Sequence, residues 1–182
     1  MTAEKASLEP YLHHYHSSSL KSEQLLKEHP EYSNLLSRFF KPSSEPLEKW
    51  MNAPYQQNPH YKENLIHKTC SGNFVRSKSE VLIDMILFKN KIPFRYECSL
   101  SLGSTIYYPD FTILHPVTKE FFLWEHFGRM DEPSYAKNVA PKLNAYISHG
   151  YIPSINLITT YETKEHPLSP VTVENLVEEY FL

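Results

Sequence analysis

Tyr108-Pro109-Asp110-Phe111 and, a short way on, Trp124-Glu125-His126-Phe127-Gly128 decide how this chain is read. Each lies in a run rich in β-branched and aromatic residues, 104–114 and 120–127, and His115-Pro116-Val117-Thr118-Lys119 between them carries turn chemistry. Two strands joined by a short loop follow from that pattern. Each strand holds one acid, Asp110 or Glu125, inside an apolar run. An acid in such a setting is unfavourable unless a cation or a donor meets it. Adjacent strands can bring two carboxylates to one ion at a sheet edge, so both are candidate functional residues. Pro109 keeps Tyr108 extended and removes a ladder donor, so the sheet is interrupted or at its edge there.

Working outward, Arg76-Ser77-Lys78-Ser79-Glu80 precedes the apolar run 81–88. Ser77 and Glu80 have capping-box spacing, and the run, apolar on nearly every side except Asp84, predicts a buried helix ended by Ile92-Pro93. Residues 64–75 predict a small hairpin turning at Ser71-Gly72-Asn73. Residues 94–102 read as one strand, with Tyr96, Cys98, Leu100 and Leu102 alternating with Arg95, Glu97, Ser99 and Ser101. Gly103-Ser104 then turns the chain into the Asp110 strand. Beyond Gly128, residues 131–149 predict a helix capped by Asp131 or Ser134, kinked or restarted at Pro141, and stopped by Gly150. A buried strand at 155–160 and a last helix at 172–181 complete an αβββαβ core with a further helix.

A helix opening with Glu80, a strand with Pro109-Asp110 and a strand with Glu125, in that order, resembles the PD-(D/E)XK nuclease superfamily. The resemblance covers about residues 76–182. It extends to uncharacterised bacterial members with RSKSE, YPDF and WEHxG signatures, matched here by Arg76 to Glu80, Tyr108 to Phe111 and Trp124 to Gly128. It implies a restriction-endonuclease-like α/β core with a mixed central sheet. It also implies a metal site of Asp110 and Glu125 with Glu80, and hydrolysis of DNA phosphodiester bonds. Oxygen donors favour a hard ion, so Mg²⁺ or Mn²⁺ is the expected cofactor. Such an ion orients a water, eases its deprotonation and stabilises charge on the phosphate.

The superfamily has a lysine two residues after the glutamate, and Phe127 stands there instead. Three residues could make good the loss. Lys142 shares a helical stripe with Tyr135, Val139 and Tyr146 and can point inward. Lys78 sits just before Glu80. His126 titrates near neutrality and could act as a base if Gly128 rotates the strand end. Arg76, Lys78 and Lys68 form the expected nucleic-acid patch. The alternative is a catalytically inactive nucleic-acid-binding or assembly module that keeps the fold, which Phe127 favours. A metal-free ribonuclease using Tyr, His and Lys is a third reading.

Bulk properties bound these expectations. The 182 residues suit one domain, 63–182, with an N-terminal helical arm and Pro-rich connector at 1–62. In the arm, Tyr32, Leu35, Leu36, Phe39 and Phe40 form a helical stripe, and His13-His14-Tyr15-His16 is a polar tract. Pro42, Pro46, Pro54 and Pro59 predict an extended connector, anchored by Trp50 and Tyr55. The arm could also serve a homodimer. With only 4 Gly and no Walker or dinucleotide fingerprint, a Gly-rich phosphate loop is excluded. The net charge of −3 denies the chain a global basic field. Residues 61–95 nonetheless hold 7 Lys+Arg against 3 Asp+Glu, and 96–182 hold 5 against 11. The absence of an apolar leader or an apolar run of spanning length predicts a cytoplasmic protein without a membrane segment. Cys70 and Cys98 have no zinc spacing and predict free thiols.

Overall fold

The computed structural model describes residues 45–182. The helical stripe of 32–40 and the histidine tract of 13–16 lie outside the described residues. Helix α1 (Glu45–Asn52) opens the described chain. A 3-10 turn (Lys62–Asn64) leads into the hairpin of β1 (His67–Lys68) and β2 (Phe74–Val75), paired antiparallel around the expected turn. Gly72 there takes φ 96°, a left-handed conformation that favours glycine.

Helix α2 (Lys78–Lys89) begins at Ser77, whose hydroxyl accepts the Glu80 N–H. Its apolar character does not bury it all round. Ile83, Ile86 and Leu87 are buried, whereas Met85 and Phe88 are 40% and 47% exposed. Asp84, the one polar break in the run, is fully buried. Its Oδ2 accepts from the Ser71 hydroxyl at 2.7 Å and the Asn73 amide at 3.1 Å. The hairpin turn thus supplies donors to one oxygen of this buried carboxylate, while Oδ1 meets none among the described residues.

The stretch expected as one strand at 94–102 is two: β3 (Phe94–Tyr96) and β4 (Leu100–Leu102). The break falls at Glu97, a non-glycine residue at φ 47°, whose side chain turns inward to Arg76 instead of outward to water. The next run also divides. β5 (Thr105–Tyr107) closes a hairpin on β4, Tyr108-Pro109-Asp110 interrupts, and β6 (Phe111–Leu114) follows. Strand β7 (Phe121–Phe127) pairs antiparallel with β6. Helix α3 (Pro133–Ser148) then crosses to β8 (Leu157–Tyr161), which pairs parallel with β7, and α4 (Pro170–Phe181) ends the fold. Glu132, not Asp131 or Ser134, is the N-cap of α3, with Pro133 in the first turn, where its missing N–H matters least. The helix runs on through Pro141 to Ser148.

The chain is therefore α/β, with a mixed four-stranded sheet ordered β3-β6-β7-β8. Helices cover both faces. Tyr96, Phe111, Trp124 and Ile158 lie in one cross-strand row and pack with Ile83, Ile86 and Leu87 of α2 and Val173, Val177 and Phe181 of α4. Burying one such aliphatic side chain contributes about 1.5–3 kcal/mol. On the opposite face Leu123 and Leu157 meet Tyr146 of α3 and Leu102 of β4. The connector packs on the core: the Arg95 guanidinium lies 4.4 Å from the Trp50 ring centre and 4.9 Å from that of Tyr55. The Tyr55 hydroxyl donates to the Tyr96 carbonyl. No helix among the described residues is long and apolar enough to cross a membrane. Cys70 is exposed and Cys98 buried, and both are free.

Candidate active site

Register sets the site. Phe111 pairs with Trp124, so one step further brings Asp110 opposite Glu125 on the face that looks toward α3. Alternation along β7 sends Glu125 and Phe127 to that face and Trp124 and His126 to the other. The break at Pro109 leaves the His126 N–H without a strand partner at that level. Asp110 Oδ2 accepts it at 2.7 Å. The other oxygen, Oδ1, accepts no hydrogen bond among the described residues.

Glu125 is 1% exposed. Its Oε1 accepts from the Tyr146 hydroxyl at 2.6 Å and its Oε2 from Lys142 Nζ at 2.7 Å. Both donors come from α3, four residues apart, hence from one helical face. Val139 and Tyr135 extend that face, and with Asp110, Glu125, Phe127 and Lys142 they line a cleft of about 190 Å³.

Charge in the cleft is unbalanced. Burial first, and the Glu125 carboxylate second, hold the Asp110 carboxyl well above the usual carboxylate range. Lys142 and the His126 N–H pull the other way without cancelling the rise. Burial alone would lower Lys142, but Glu125 and Asp110 outweigh it and hold the ammonium above the usual lysine value. Lys142 therefore carries a proton at neutral pH and acts as a charge, not as a base. Burial and Glu125 raise Tyr146 far above an ordinary phenol, so it donates as a neutral hydroxyl.

The three acids singled out in the sequence do not all gather. Glu80 stands on the α2 side of the sheet. Its Oε2 accepts from the Tyr96 hydroxyl at 2.7 Å and the Arg76 N–H at 2.9 Å, and its Oε1 from the Ser77 hydroxyl at 2.9 Å. Three donors hold this carboxylate at the start of α2. Its charge still reaches Asp110 and adds to the rise there. Among the described residues no three His, Cys, Asp or Glu side chains form a metal-holding group.

His126 meets the cleft with its backbone. Its ring lies on the far face, with Nδ1 3.0 Å from the Thr160 hydroxyl and Nε2 3.3 Å from Glu162 Oε1, a contact too poorly aligned for a hydrogen bond. Arg76 does not face solvent as a phosphate contact would. Its guanidinium forks onto Glu97 at 2.6 and 2.9 Å, and donates to the carbonyls of Tyr61 at 2.6 Å and His60 at 2.8 Å. Lys78 and Lys68 are exposed and make no ion pair among the described residues. Phe127 fills the vacated lysine position as an apolar wall, stacked on Tyr161 at 5.4 Å. Tyr146 was not anticipated as a partner of Glu125, although its place on the Lys142 stripe was visible in the sequence.

Two hard carboxylates facing one cleft, with excess negative charge, fit Mg²⁺ or Mn²⁺, which take one or two protein carboxylates and complete their shells with water and phosphate. Comparison of the chain with family models, with curated proteins and with solved structures finds no match.

Proposed function

We propose that the protein is a metal-dependent nuclease that hydrolyses phosphodiester bonds, DNA first among its substrates, in the manner of PD-(D/E)XK enzymes. The observation that carries this reading is the convergence of Asp110, Glu125 and Lys142 in one cleft, from the residue before β6, from β7 and from α3. The order α2, β3, β6, β7, α3, β8 around a mixed sheet supports it too, being the αβββαβ order that the resemblance implies.

Asp110 and Glu125 are the residues that hold a divalent ion in this reading. When bound, the ion polarises the phosphate and lowers the pKa of an attacking water. Lys142 does the work of the missing motif lysine from another element. Its ammonium, beside Glu125, orients the attacking water and offsets charge developing on the phosphoryl oxygens. Tyr146 holds Glu125 in one rotamer, so the carboxylate does not swing away when Lys142 turns to the water. The His126 N–H does the same for Asp110. Phe127 and Val139 keep the rear of the cleft apolar, which strengthens each charge interaction within it. Lys78 and Lys68, exposed at the start of α2 and on β1, are the free cations for backbone phosphates.

One observation favours the inactive nucleic-acid-binding module instead. The Lys142–Glu125 ion pair satisfies both partners without any ligand. Incubating the folded protein with plasmid and with single-stranded DNA in Mn²⁺ decides between them. Cleavage that disappears in Asp110→Ala supports the nuclease. Salt-sensitive binding without turnover supports the module, and Asp110→Ala cleaving like wild type removes the assignment of the site.

A further inference from the structure

Beside the catalytic cleft lies a second, wider concavity of about 490 Å³. Lys142 lines both. The other walls are mainly aromatic and apolar, Tyr61, Tyr107, Tyr108 and Ile106, with Asn58 and His60. No carboxylate lines it, in contrast to the cleft next door.

Tyr61 is its most unusual wall. The ring is 70% exposed, yet its backbone is held in the left-handed region at φ 53°, ψ 44°. For a bulky residue that conformation is an outlier, kept only where the surroundings impose it. Here they do. Arg76, fixed by its fork onto Glu97, donates to the carbonyls of both His60 and Tyr61. Asn58 adds a backbone bond to the Glu97 carbonyl at 3.0 Å and an amide contact to its side chain. A buried ion pair thus immobilises a strap whose outermost feature is a tyrosine ring facing water. Ile106, 50% exposed, stands across from it on β5.

We infer that this trough is a stacking subsite for the bases of an unpaired strand whose scissile phosphate occupies the neighbouring cleft. The inference rests on the nuclease reading and names its substrate class as single-stranded nucleic acid, or a single-stranded end. Three features choose this occupant. The lining holds one ammonium, Lys142, and no acid, which suits an anionic strand. It is continuous through Lys142 with the phosphate-handling cleft. Its walls are aromatic side chains, on which an exposed base can stack, whereas bases within a duplex already stack on one another. A concavity of that size lies in the range, about 300–1,000 Å³, of pockets that hold small organic groups.

The test uses the full chain in EDTA, with fluorescein-labelled oligo-dT and a blunt hairpin duplex of equal charge as probes, read by anisotropy. Wild type binds oligo-dT more tightly than the duplex. Tyr61→Ala weakens oligo-dT binding about fivefold or more, the usual effect of losing one base–aromatic stack. The same variant leaves duplex binding unchanged, and Tyr61→Phe retains wild-type affinity. Ile106→Glu, a surface change that puts a carboxylate into the trough, weakens oligo-dT binding independently of the strap. Equal oligo-dT affinity in wild type, Tyr61→Ala and Ile106→Glu overturns the subsite. Mn²⁺-dependent cleavage alongside that result leaves the nuclease standing without it. Tyr61-dependent binding with no cleavage removes the nuclease and keeps the trough.

Discussion

Lys142 Nζ sits 2.7 Å from Oε2 of Glu125, joining the middle of α3 to the end of β7. The pair has a structural and a chemical role, and the two separate by experiment. Removing the ammonium in Lys142→Met leaves a carboxylate that is 1% exposed with only Tyr146 as donor. Breaking a buried pair from one side costs about 3–5 kcal/mol. Lys142 keeps 31% of its side chain in solvent, which brings the expected loss down to about 2 kcal/mol. Adding Glu125→Gln removes the stranded charge, so the double variant recovers most of that stability in urea unfolding. Activity does not return. The single variant loses roughly a hundredfold or more in kcat, as expected for deletion of a transition-state charge, and the double variant is no better. Recovery of activity together with stability would show that Lys142 serves the fold alone.

Asp110 is predicted to destabilise the protein that needs it. Its folded-state pKa lies above the ordinary 3.8, chiefly through burial and the Glu125 charge. Ionising it therefore opposes folding. The penalty is absent below the unfolded value and complete above the folded one. Asp110→Asn, which keeps an oxygen for the His126 N–H, should match wild type at acid pH and exceed it increasingly as pH rises to neutrality. For a chain of this length each 1 kcal/mol gained there raises Tm by about 2–4 °C. Divalent metal reverses the order. Mn²⁺ at a hundred times its Kd stabilises wild type by about 2.7 kcal/mol and leaves Asp110→Asn unchanged. Calorimetry across pH, with and without Mn²⁺, checks both signs.

Glu80 divides cap from ligand. Its oxygens satisfy the Tyr96 hydroxyl, the Arg76 N–H and the Ser77 hydroxyl at the entry to α2. Glu80→Ala strands a fully buried tyrosine hydroxyl and removes the side-chain half of the capping box, together about 2–3 kcal/mol, while the Ser77 cap on the backbone N–H stays. Per folded molecule, cleavage stays at the wild-type level to within a few-fold. A loss comparable to that of Asp110→Ala, in protein shown to be folded, would return Glu80 to the metal site.

Periodicity made much of this fold legible. The α/β class follows from alternation in the strands and from the spacing of the helices. The spacing of Val139, Lys142 and Tyr146 put Lys142 on the apolar stripe, because residues three and four apart share a helical face, but left its direction open between the cleft and the surface. What stayed hidden is tertiary. A glutamate at positive φ leaves no trace in composition, so the break at Glu97 was read as continuous strand. Arg76 and Glu97 are 21 residues apart, and no local pattern pairs them. The capping-box spacing of Ser77 and Glu80 was plain, but not that it would engage both Glu80 oxygens. The Tyr96 hydroxyl that completes that engagement arrives from another strand.

Arg76 was expected to hold phosphate, and its geometry predicts a different signature. Its guanidinium makes four contacts inside the protein, two to Glu97 and two to the His60–Tyr61 strap. A planar fork makes that arrangement and an ammonium does not, so Arg76→Lys is not conservative here. It should lose about 2 kcal/mol, a modest share of a buried pair because the arginine is 21% exposed. Oligo-dT affinity falls with it, since the strap that displays Tyr61 loosens. In Arg76→Gln, which removes the charge, the dependence of log K on log salt does not change, because no phosphate contact is removed. Lys78→Ala and Lys68→Ala behave in the opposite way. Both side chains are exposed and unpaired among the described residues, so stability is unaltered and each change lowers the salt slope by about 0.7–0.9. Titrations of Arg76→Gln, Lys78→Ala and Lys68→Ala at several salt concentrations separate the roles, and a reduced slope in Arg76→Gln would mean that the guanidinium leaves Glu97 to meet the nucleic acid.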